Sequence, residues 1–482
     1  MSLKKEALRG FIWTYAEQSG GQIINFFVNI LLARTLFPAD FGILGLLFVF
    51  ITIANVLVDG GMKISIIRKK EVTDRDYTSV FFANILMSCV LYTIIFFLAP
   101  YISEFYKKPE LVSIVRVFSI TIVLQAFVFV QSAILTKNLN FRQQSLMKIP
   151  SIILSSAIGI ILALLHFGVW SLVWMYLTQT FFWALFHWIF SDWKPKLVFD
   201  KSLFKYHFNF GYKLTLVEVL NAIISNAYQI VIGKYYNVLN VGYYTQSLTL
   251  RQLPISNIYG PASKLFLPIF SKIQDDEDRV VRTYQQIISV LIVVVAPILT
   301  FLAVFSEQII VFLYSEKWRV AAPFLFHLAV AGIFTVVCSF NLTVLNIIGG
   351  SKLLLKIEFI NKIQIILFII ATIFLGLPIK YLLYTISISA IVSYFIVTFF
   401  ATKHLKIDFL QQLFSFVRLL SIVVIAVFFA YILFTFCFQS IFLQFGNLLL
   451  SIALGLSLYV GLTFLFNRSI VNNLLDLLKN GN

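Results

Sequence analysis

Long apolar runs follow one another along almost the whole chain, separated by short groups of Gly, Pro and charged residues. A helix that crosses a membrane needs roughly 20 predominantly apolar residues. The runs predict about fourteen such helices, at residues 9–33, 41–62, 78–100, 111–135, 149–166, 168–190, 208–233, 241–270, 283–314, 321–346, 355–377, 379–402, 414–437 and 440–467. The pattern therefore predicts an all-α polytopic membrane protein. A miscount of one pair is left open by the short runs on either side of Gly168 and by the proline-interrupted run 241–270.

Composition agrees with this prediction and excludes several other classes of protein. Hydrophobic residues make up 60% of the 482, charged residues 12%, and the mean hydropathy is +0.93. Ordinary soluble domains contain about 25% charged residues, roughly twice this fraction. The formal net charge of +16 is spread over many separate loops instead of one face, so no nucleic-acid partner is expected.

The chain offers little room for enzyme chemistry. No predicted connection is long enough for a catalytic domain, and the phosphate-cradling motif Gly-x-x-x-x-Gly-Lys-Ser/Thr is absent from the sequence. The five His residues show no ligand spacing, and Cys89, Cys338 and Cys437 fall inside predicted helices. We therefore expect a transporter with no cofactor and no metal, driven by an ion gradient or by the gradient of its own substrate.

The basic residues predict the orientation in the membrane. If both termini are cytoplasmic, 29 of the 37 Lys and Arg residues fall on the cytoplasmic side, and every loop obeys the alternation. Lys and Arg are enriched in cytoplasmic loops of membrane proteins. The eight residues left for the other side are Arg34, Lys107, Lys108, Arg116, Lys234, Lys317, Arg319 and Lys380.

Two stretches of the chain are similar at an offset of 200 residues, which predicts two similar halves of the kind common in transporters. Residues 32–42 follow a long apolar run and end in Asp-Phe-Gly, and residues 232–242 follow another and end in Asn-Val-Gly. The offset needs no insertion over two consecutive predicted helices. It pairs Gln18 with Glu218, Asn29 with Gln229, Arg34 with Lys234, Gly42 with Gly242 and Gly60 with Gly260.

Polar side chains form a stripe on the first predicted helix. Gln18, Gln22, Asn25 and Asn29 are spaced as one helical face, and Glu17 adjoins them. The seventh predicted helix repeats the pattern around Glu218. Such stripes either join helices by hydrogen bonds or line a wet central cavity. Their matching positions and their carboxylates favour the cavity, so Gln18, Gln22 and Asn25 are predicted to bind substrate.

Three cationic residues lie at or near membrane depth, where charge is costly and therefore indicates function. Arg116, Lys213 and Arg251 would suit a phosphate-bearing ligand, because a guanidinium grips phosphate bidentately and an ammonium as a point charge. For Lys213 the favoured alternative is a side chain that reaches the headgroup region. Asp59 is expected to pair with Lys63, four residues further along the helix.

Several short signatures, taken in order, resemble the polysaccharide-transporter (Wzx-like) branch of the multidrug/oligosaccharidyl-lipid/polysaccharide exporter superfamily, whose members are flippases of O-antigen, colanic-acid and capsule precursors. They are Leu32-Ala33-Arg34 through Pro38 to Asp40-Phe41-Gly42; Leu139-Asn140-Phe141; Trp193-x-Pro195 through Phe199-Asp200 to Phe210-Gly211; Ile232-Gly233-Lys234 through Gly242-Tyr243-Tyr244 to Pro254; Pro268-x-x-Ser271; and Lys317-Trp318 with Ala321-Ala322.

This resemblance implies about fourteen helices in two pseudo-symmetric six-helix lobes plus a C-terminal pair. The corresponding boundaries are 1–200 for the N-terminal lobe with a cytoplasmic linker, 201–402 for the C-terminal lobe, and 403–482 for the last two helices and a short tail. It implies a bacterial cytoplasmic membrane protein that moves an undecaprenyl-pyrophosphate-linked oligosaccharide by alternating access. Its implied partners are that substrate, membrane lipids, a coupling H⁺ or Na⁺ and polysaccharide-assembly proteins.

The chain departs from the family at two positions that bear on ion coupling. Tyr228 stands where the family often has an acidic residue, and Gln246 stands where it often has a small one. The ion-coupling hypothesis therefore rests on Glu218, with Glu17 as the second candidate.

Two other readings compete with a flippase. A MATE-like antiporter of small molecules or cations would need a cavity dominated by carboxylates. A membrane glycosyl polymerase or ligase would be expected to carry a large periplasmic loop, which is not predicted here.

Reporter fusions test the predicted topology. Fusions at Gly168, Lys380 and Gln439 should report the outer side, and fusions at Lys70, Lys272 and the C-terminus the cytoplasm, because the charge partition places those loops there. Paired alkaline phosphatase and fluorescent-protein activities measure the side. Two fusions on the wrong side would refute the topology.

Overall fold

A computed structural model describes residues 20–437 and 444–466. Every regular element in this portion is helical. The backbone divides into two compact units, Met1–Thr245 and Gln246–Asn482.

The first described helix of the first unit covers residues 20–35, here α1. The helices that follow are α2 (Pro38–Asp59), α3 (Met62–Arg68), α4 (Asp74–Tyr106), α5 (Leu111–Phe118), α6 (Ile120–Lys137), α7 (Phe141–Leu164), α8 (Val169–Phe190), α9 (Lys201–Ser225) and α10 (Ala227–Val231), then a π-helical turn, Ile232–Tyr236.

Helix α11 (Val238–Ile273) runs from the first unit into the second. The second unit continues with α12 (Glu277–Val304), α13 (Ser306–Tyr314), a 3₁₀ helix (Glu316–Ala321), α14 (Ala322–Ile348), α15 (Ser351–Phe374), α16 (Ile379–His404), α17 (Phe409–Ile432), a π-helical turn (Leu433–Cys437) and α18 (Gln444–Phe466).

Within the described residues, 11 helices are long and apolar enough to cross a membrane, or 12 if α9 and the helix after its 50° bend form one span. The predicted all-α polytopic membrane protein is therefore confirmed. The number fourteen stays a prediction: part of residues 9–33 lies outside the described residues, and α11 carries Pro254, Pro261 and Pro268 inside a less apolar helix.

Several helices begin at side chains that accept hydrogen bonds from the first backbone N–H groups, which have no partner within the helix. Asp200 caps α9 by accepting from the backbone N–H of Ser202 at 2.9 Å and of Leu203 at 3.2 Å. The Ser202 hydroxyl adds a bond of 2.6 Å. These bonds, that of the hydroxyl foremost, lower the pKa of the Asp200 carboxyl. Asp276 and Asp408 cap α12 and α17 in the same way.

The linker before α9 is held on α4. The indole of Trp193 packs edge-on against the rings of Tyr77 and Phe81, with centroids 5.9 and 6.0 Å apart. The backbone N–H of Asp200 donates to the hydroxyl of Ser79 at 2.9 Å. Leu197, between these two anchors, is 94% exposed. The linker therefore fixes where α9 starts.

Helix α9 crosses the break between α2 and α3 at three glycines. Gly60 and Gly61 end α2 with φ of 55° and 66°, which glycine adopts without strain. A Cβ added to Gly61 would lie 2.6 Å from the carbonyl oxygen of Gly211 in α9, and one on Gly211 would overlap the carbonyl of Gly60. Only glycine allows this approach of the two backbones.

The beginnings of α2 and α11 make a second backbone contact. A Cβ on Gly42 would overlap the carbonyl oxygen of Val238, and a Cβ on Gly242 would overlap that of Pro38. The two contacts are equivalent under the 200-residue offset: Gly42 corresponds to Gly242, and Val238 corresponds to Pro38. A local two-fold relation between 38–42 and 238–242 produces this reciprocity.

In the second unit, buried polar groups of the helices bond to one another. The hydroxyl of Tyr284 donates to Oδ1 of Asn341 at 2.9 Å, and Nδ2 of Asn341 donates to Oγ1 of Thr398 at 3.2 Å. These bonds join α12, α14 and α16. Tyr459 of α18 donates to the carbonyl of Val293 at 2.7 Å. Polar groups in an apolar interior require such partners.

Gly42→Ala and Gly242→Ala should each destabilise the protein by about 2 kcal/mol or more, because the added methyl group forces the α2 and α11 backbones apart. Gly461→Ala in α18 is the matched control, since a Cβ there meets no atom within 4 Å. That variant should match or slightly exceed wild type. Thermal unfolding of the purified protein in one detergent compares the three. Equal Tm values would contradict the contact.

Candidate functional site

The predicted polar stripe of α1 is described only in part. Glu17 and Gln18 lie outside the described residues. Gln22 is half-buried, and Asn25 is exposed. Asn29 is half-buried, with its Oδ1 atom enclosed. The described part of the stripe thus runs along a surface that is only partly covered.

Arg251 lies within α11, three residues before Pro254, and is half-buried. Its guanidinium rests on the backbone of α14: a Cβ on Gly332 would lie 3.1 Å from Nε of Arg251 and 3.4 Å from Cδ1 of Ile255. The absence of a side chain at Gly332 is what makes room for the guanidinium. The cationic side chain of Arg251 is therefore positioned within the second unit by Gly332, a residue that carries no polar group.

Arg116 lies at the end of α5 against α4. Its Nε donates to the carbonyl of Phe96 at 3.3 Å, and its guanidinium carbon lies 4.2 Å from the centroid of the Phe96 ring. Cation–π contact and a carbonyl acceptor both stabilise a positive charge. The side chain of Arg116 is thus bound to α4 through Phe96.

Lys213 and Glu218 are both exposed on α9. Five residues turn a helix through about 140° from the starting face, so the two side chains leave α9 in different directions. Glu218 shares the face of Gly211 and Ala222, which are buried, yet it is itself exposed. The covered face of α9 therefore opens at Glu218.

A buried ionic cluster, which the sequence reading missed, joins α3, α4 and α9. His207 is fully buried between Oδ1 of Asp76, 2.9 Å from its Nε2, and Oγ of Ser65, 2.8 Å from its Nδ1. Nζ of Lys69 lies 2.5 Å from the same Asp76 oxygen. Asp76 also accepts from the backbone and hydroxyl of Thr73. Thr73 and Asp76 thus form a capping box at the start of α4. This motif is the signal in the sequence that could have pointed to the cluster.

Lys137 at the end of α6 caps the end of α3. Its Nζ donates to the carbonyl of Ile66 at 3.2 Å and to that of Lys69. These carbonyls belong to a helix end, where cations are favoured. Lys137 and Lys69, which are among the 29 basic residues of the predicted cytoplasmic side, therefore also fasten helices together.

Lys63 makes a different contact from the one expected. Its Nζ donates to the hydroxyl of Ser132 at 3.2 Å, and its backbone N–H, not its ammonium, donates to Asp59 at 3.2 Å.

Among the described residues, no group of three or more His, Cys, Asp or Glu side chains could hold a metal ion.

The sequence matches a family described as "Polysaccharide biosynthesis protein" over residues 31–323. The teichuronic acid biosynthesis protein TuaB of Bacillus subtilis is 25% identical over 357 residues, 73% of each chain. The succinoglycan biosynthesis transport protein ExoT of Rhizobium meliloti is 24% identical over 73% of this chain and 71% of its own.

The fold is similar to that of the lipid II flippase MurJ in an inward closed conformation. The TM-score is 0.75 at 16% identity, over 95% of this chain and all of that chain. At this identity the likeness concerns the fold alone. The family predicted from the short signatures is confirmed by the sequence matches.

Asp76→Asn should destabilise the protein by about 3 kcal/mol, because it removes the charge that Lys69 and buried His207 face. Asp74→Asn is the control: Asp74 pairs with Lys196 at 2.9 Å on the surface, where an ion pair contributes about 1 kcal/mol or less. Thermal unfolding in detergent at neutral pH measures both. Similar losses in the two variants would contradict a structural role for the cluster.

Proposed function

We propose that this chain, which belongs to the polysaccharide biosynthesis protein family, is a flippase for an undecaprenyl-pyrophosphate-linked oligosaccharide. It translocates the polysaccharide repeat unit across the bacterial cytoplasmic membrane, with both termini in the cytoplasm. Relatives that are named for polysaccharide biosynthesis and transport support the substrate class. The helical membrane fold supports the transport.

The proposed mechanism is alternating access by two lobes, 1–200 and 201–402, with 403–482 as an accessory pair. The carrier lipid stays in hydrocarbon while its charged, sugar-bearing headgroup needs a polar path. Moving a charge through hydrocarbon alone costs several kcal/mol or more. A path lined by polar and cationic side chains removes most of that cost.

Arg251 carries this proposal, as the proposed ligand of the pyrophosphate. Arg251 is half-buried, and its guanidinium is seated on the backbone at Gly332, which fixes the position of a cation inside the second unit. A seated guanidinium can form two parallel bonds to phosphate oxygens. Arg116 and Lys213 are proposed to assist, and Gln18, Gln22 and Asn25 to bind the polar headgroup.

Glu218 is proposed to couple transport to H⁺ or Na⁺. It is the carboxylate of α9 at the place where the covered face of that helix opens. The offset of 200 matches it with neutral Gln18, and a carboxylate in one half only can respond to an ion as the lobes move. Glu17 is the second candidate.

Arg251→Ala should lower glycan export at least tenfold, and Arg251→Lys should restore part of it, since an ammonium keeps the charge but loses the bidentate geometry. Gly332→Val should also lower export, because it displaces the guanidinium while keeping Arg251. Lys264→Ala, an exposed cation of the same helix, is the control.

These variants are compared by surface polysaccharide in cells that lack the native gene, at matched protein levels. Normal export by Arg251→Ala would remove Arg251 from the mechanism. Normal export of the glycan by cells without the gene would refute the flippase function itself.

Glu218→Gln keeps shape and hydrogen bonding but removes the charge, so it should leave folding intact and abolish the response of transport to an imposed gradient. Proteoliposomes with a proton or sodium gradient measure that response. Glu358→Gln is the control, because Glu358 pairs with Lys362 at 3.2 Å within α15. A gradient response equal to that of wild type in Glu218→Gln would make Glu17 the candidate.

A further inference from the structure

The second unit holds a cavity of about 710 Å³ at the end where α12 and α17 finish and α14 and α16 begin. Small-molecule sites occupy roughly 300–1,000 Å³. Arg319 lies at this end, and it is one of the cations that the charge partition places on the outer side. The cavity is therefore expected to face away from the cytoplasm.

Aromatic side chains form one wall of the cavity. Phe326, His327, Tyr384 and Tyr431 line it. The rings of His327 and Tyr384 meet edge to face with centroids 5.0 Å apart, and Nδ1 of His327 lies 2.9 Å from the hydroxyl of Ser387. These contacts hold His327 and Tyr384 in place, while Tyr384 remains 47% exposed. The wall thus presents a fixed tyrosine ring.

Charged side chains at the edge of the cavity, here called the rim, form ion pairs with one another. Arg319 contacts Glu307 through NH1 at 3.0 Å and Glu316 through Nε at 2.6 Å. Lys317 lies between Glu316 and Arg319 in the sequence, so the two carboxylates and two cations of this segment balance. The rim therefore carries no excess positive charge for phosphate, yet it offers oxygen acceptors and N–H donors side by side.

Gln308 adds an amide to the same cavity. Its Oε1 is enclosed and accepts no hydrogen bond from the described residues. Enclosed polar oxygens generally have a donor partner, and Oε1 of Gln308 would gain one from a ligand hydroxyl once the amide turns towards the cavity. The lining thus combines aromatic faces, paired charges and an amide.

We propose that this cavity is a binding site for the neutral sugars of the translocated oligosaccharide. The apolar C–H face of a sugar ring packs on an aromatic ring, and its hydroxyl groups bond to carboxylate, guanidinium and amide groups. The inference rests on the proposed flippase function and assigns the glycan to a site separate from the phosphate ligand Arg251. It would hold the glycan at the outer face while the lipid carrier leaves.

The probe is free oligosaccharide, released by mild acid from the lipid-linked pool of the producing bacterium. It is titrated calorimetrically into the purified full-length protein in nanodiscs. Wild type should bind it, and Tyr384→Ala should bind about tenfold more weakly, equivalent to about 1.4 kcal/mol. Tyr101→Ala is the control, because Tyr101 is an exposed tyrosine of α4 in the first unit, outside the cavity lining.

Glu307→Ala, at the exposed rim, is the second variant should Tyr384→Ala fold poorly, and it should also weaken binding. Lys264→Ala, at the exposed cation of α11, should bind the free oligosaccharide like wild type. Export assays of the same variants report on the flippase function separately.

No binding by wild type, or equal binding by Tyr384→Ala, Glu307→Ala and wild type, would overturn the proposal even if Arg251→Ala abolishes export. Short-chain phosphatidylglycerol is titrated in parallel. Binding of this lipid that is lost in Tyr384→Ala, without binding of the oligosaccharide, would identify a lipid headgroup site and also overturn it.

Discussion

Backbone contact at glycine is the constraint on which the first unit depends. Helix α2 meets α11 through Gly42 and Gly242 at one end, and it meets α9 through Gly60, Gly61 and Gly211 at the other. Within a membrane, helices gain little from apolar burial against one another, because lipid tails are just as apolar. Close backbone packing therefore has to supply the association. Any side chain at these points would separate the helices and move everything attached to them.

Polar side chains then fix the positions that packing alone leaves loose. The cluster of Asp76, His207 and Lys69 sets the entry of α9, and the Asn341 bonds tie the core of the second unit. A buried charge is costly unless it is paired, so each partner specifies the other. Lys69 and Lys137, which the charge pattern predicts on the cytoplasmic side, also join helices. Charge statistics alone do not detect this second role.

The chemistry proposed for this protein separates two parts of one substrate. A pyrophosphate needs a cation held in a fixed position, which the seat of Arg251 at Gly332 is suited to provide. A neutral glycan needs rings and hydrogen-bonding groups without excess positive charge, which the aromatic cavity and its paired rim are suited to provide. Placing them apart would let the sugar vary between relatives while the phosphate ligand stays the same.

The sequence by itself determined the fold class, most spanning segments, the family and the 200-residue correspondence that pairs Gly42 with Gly242. These features depend on local hydropathy and on short signatures, which a linear reading detects. Only the tertiary structure decided that Arg116 lies on Phe96 and that Gly332 seats Arg251. It also decided that His207 is buried between Asp76 and Ser65, which precede it by 131 and 142 positions. The physical reason is that such contacts depend on how each helix is rotated against neighbours distant in sequence. Packing of all the helices together sets that rotation.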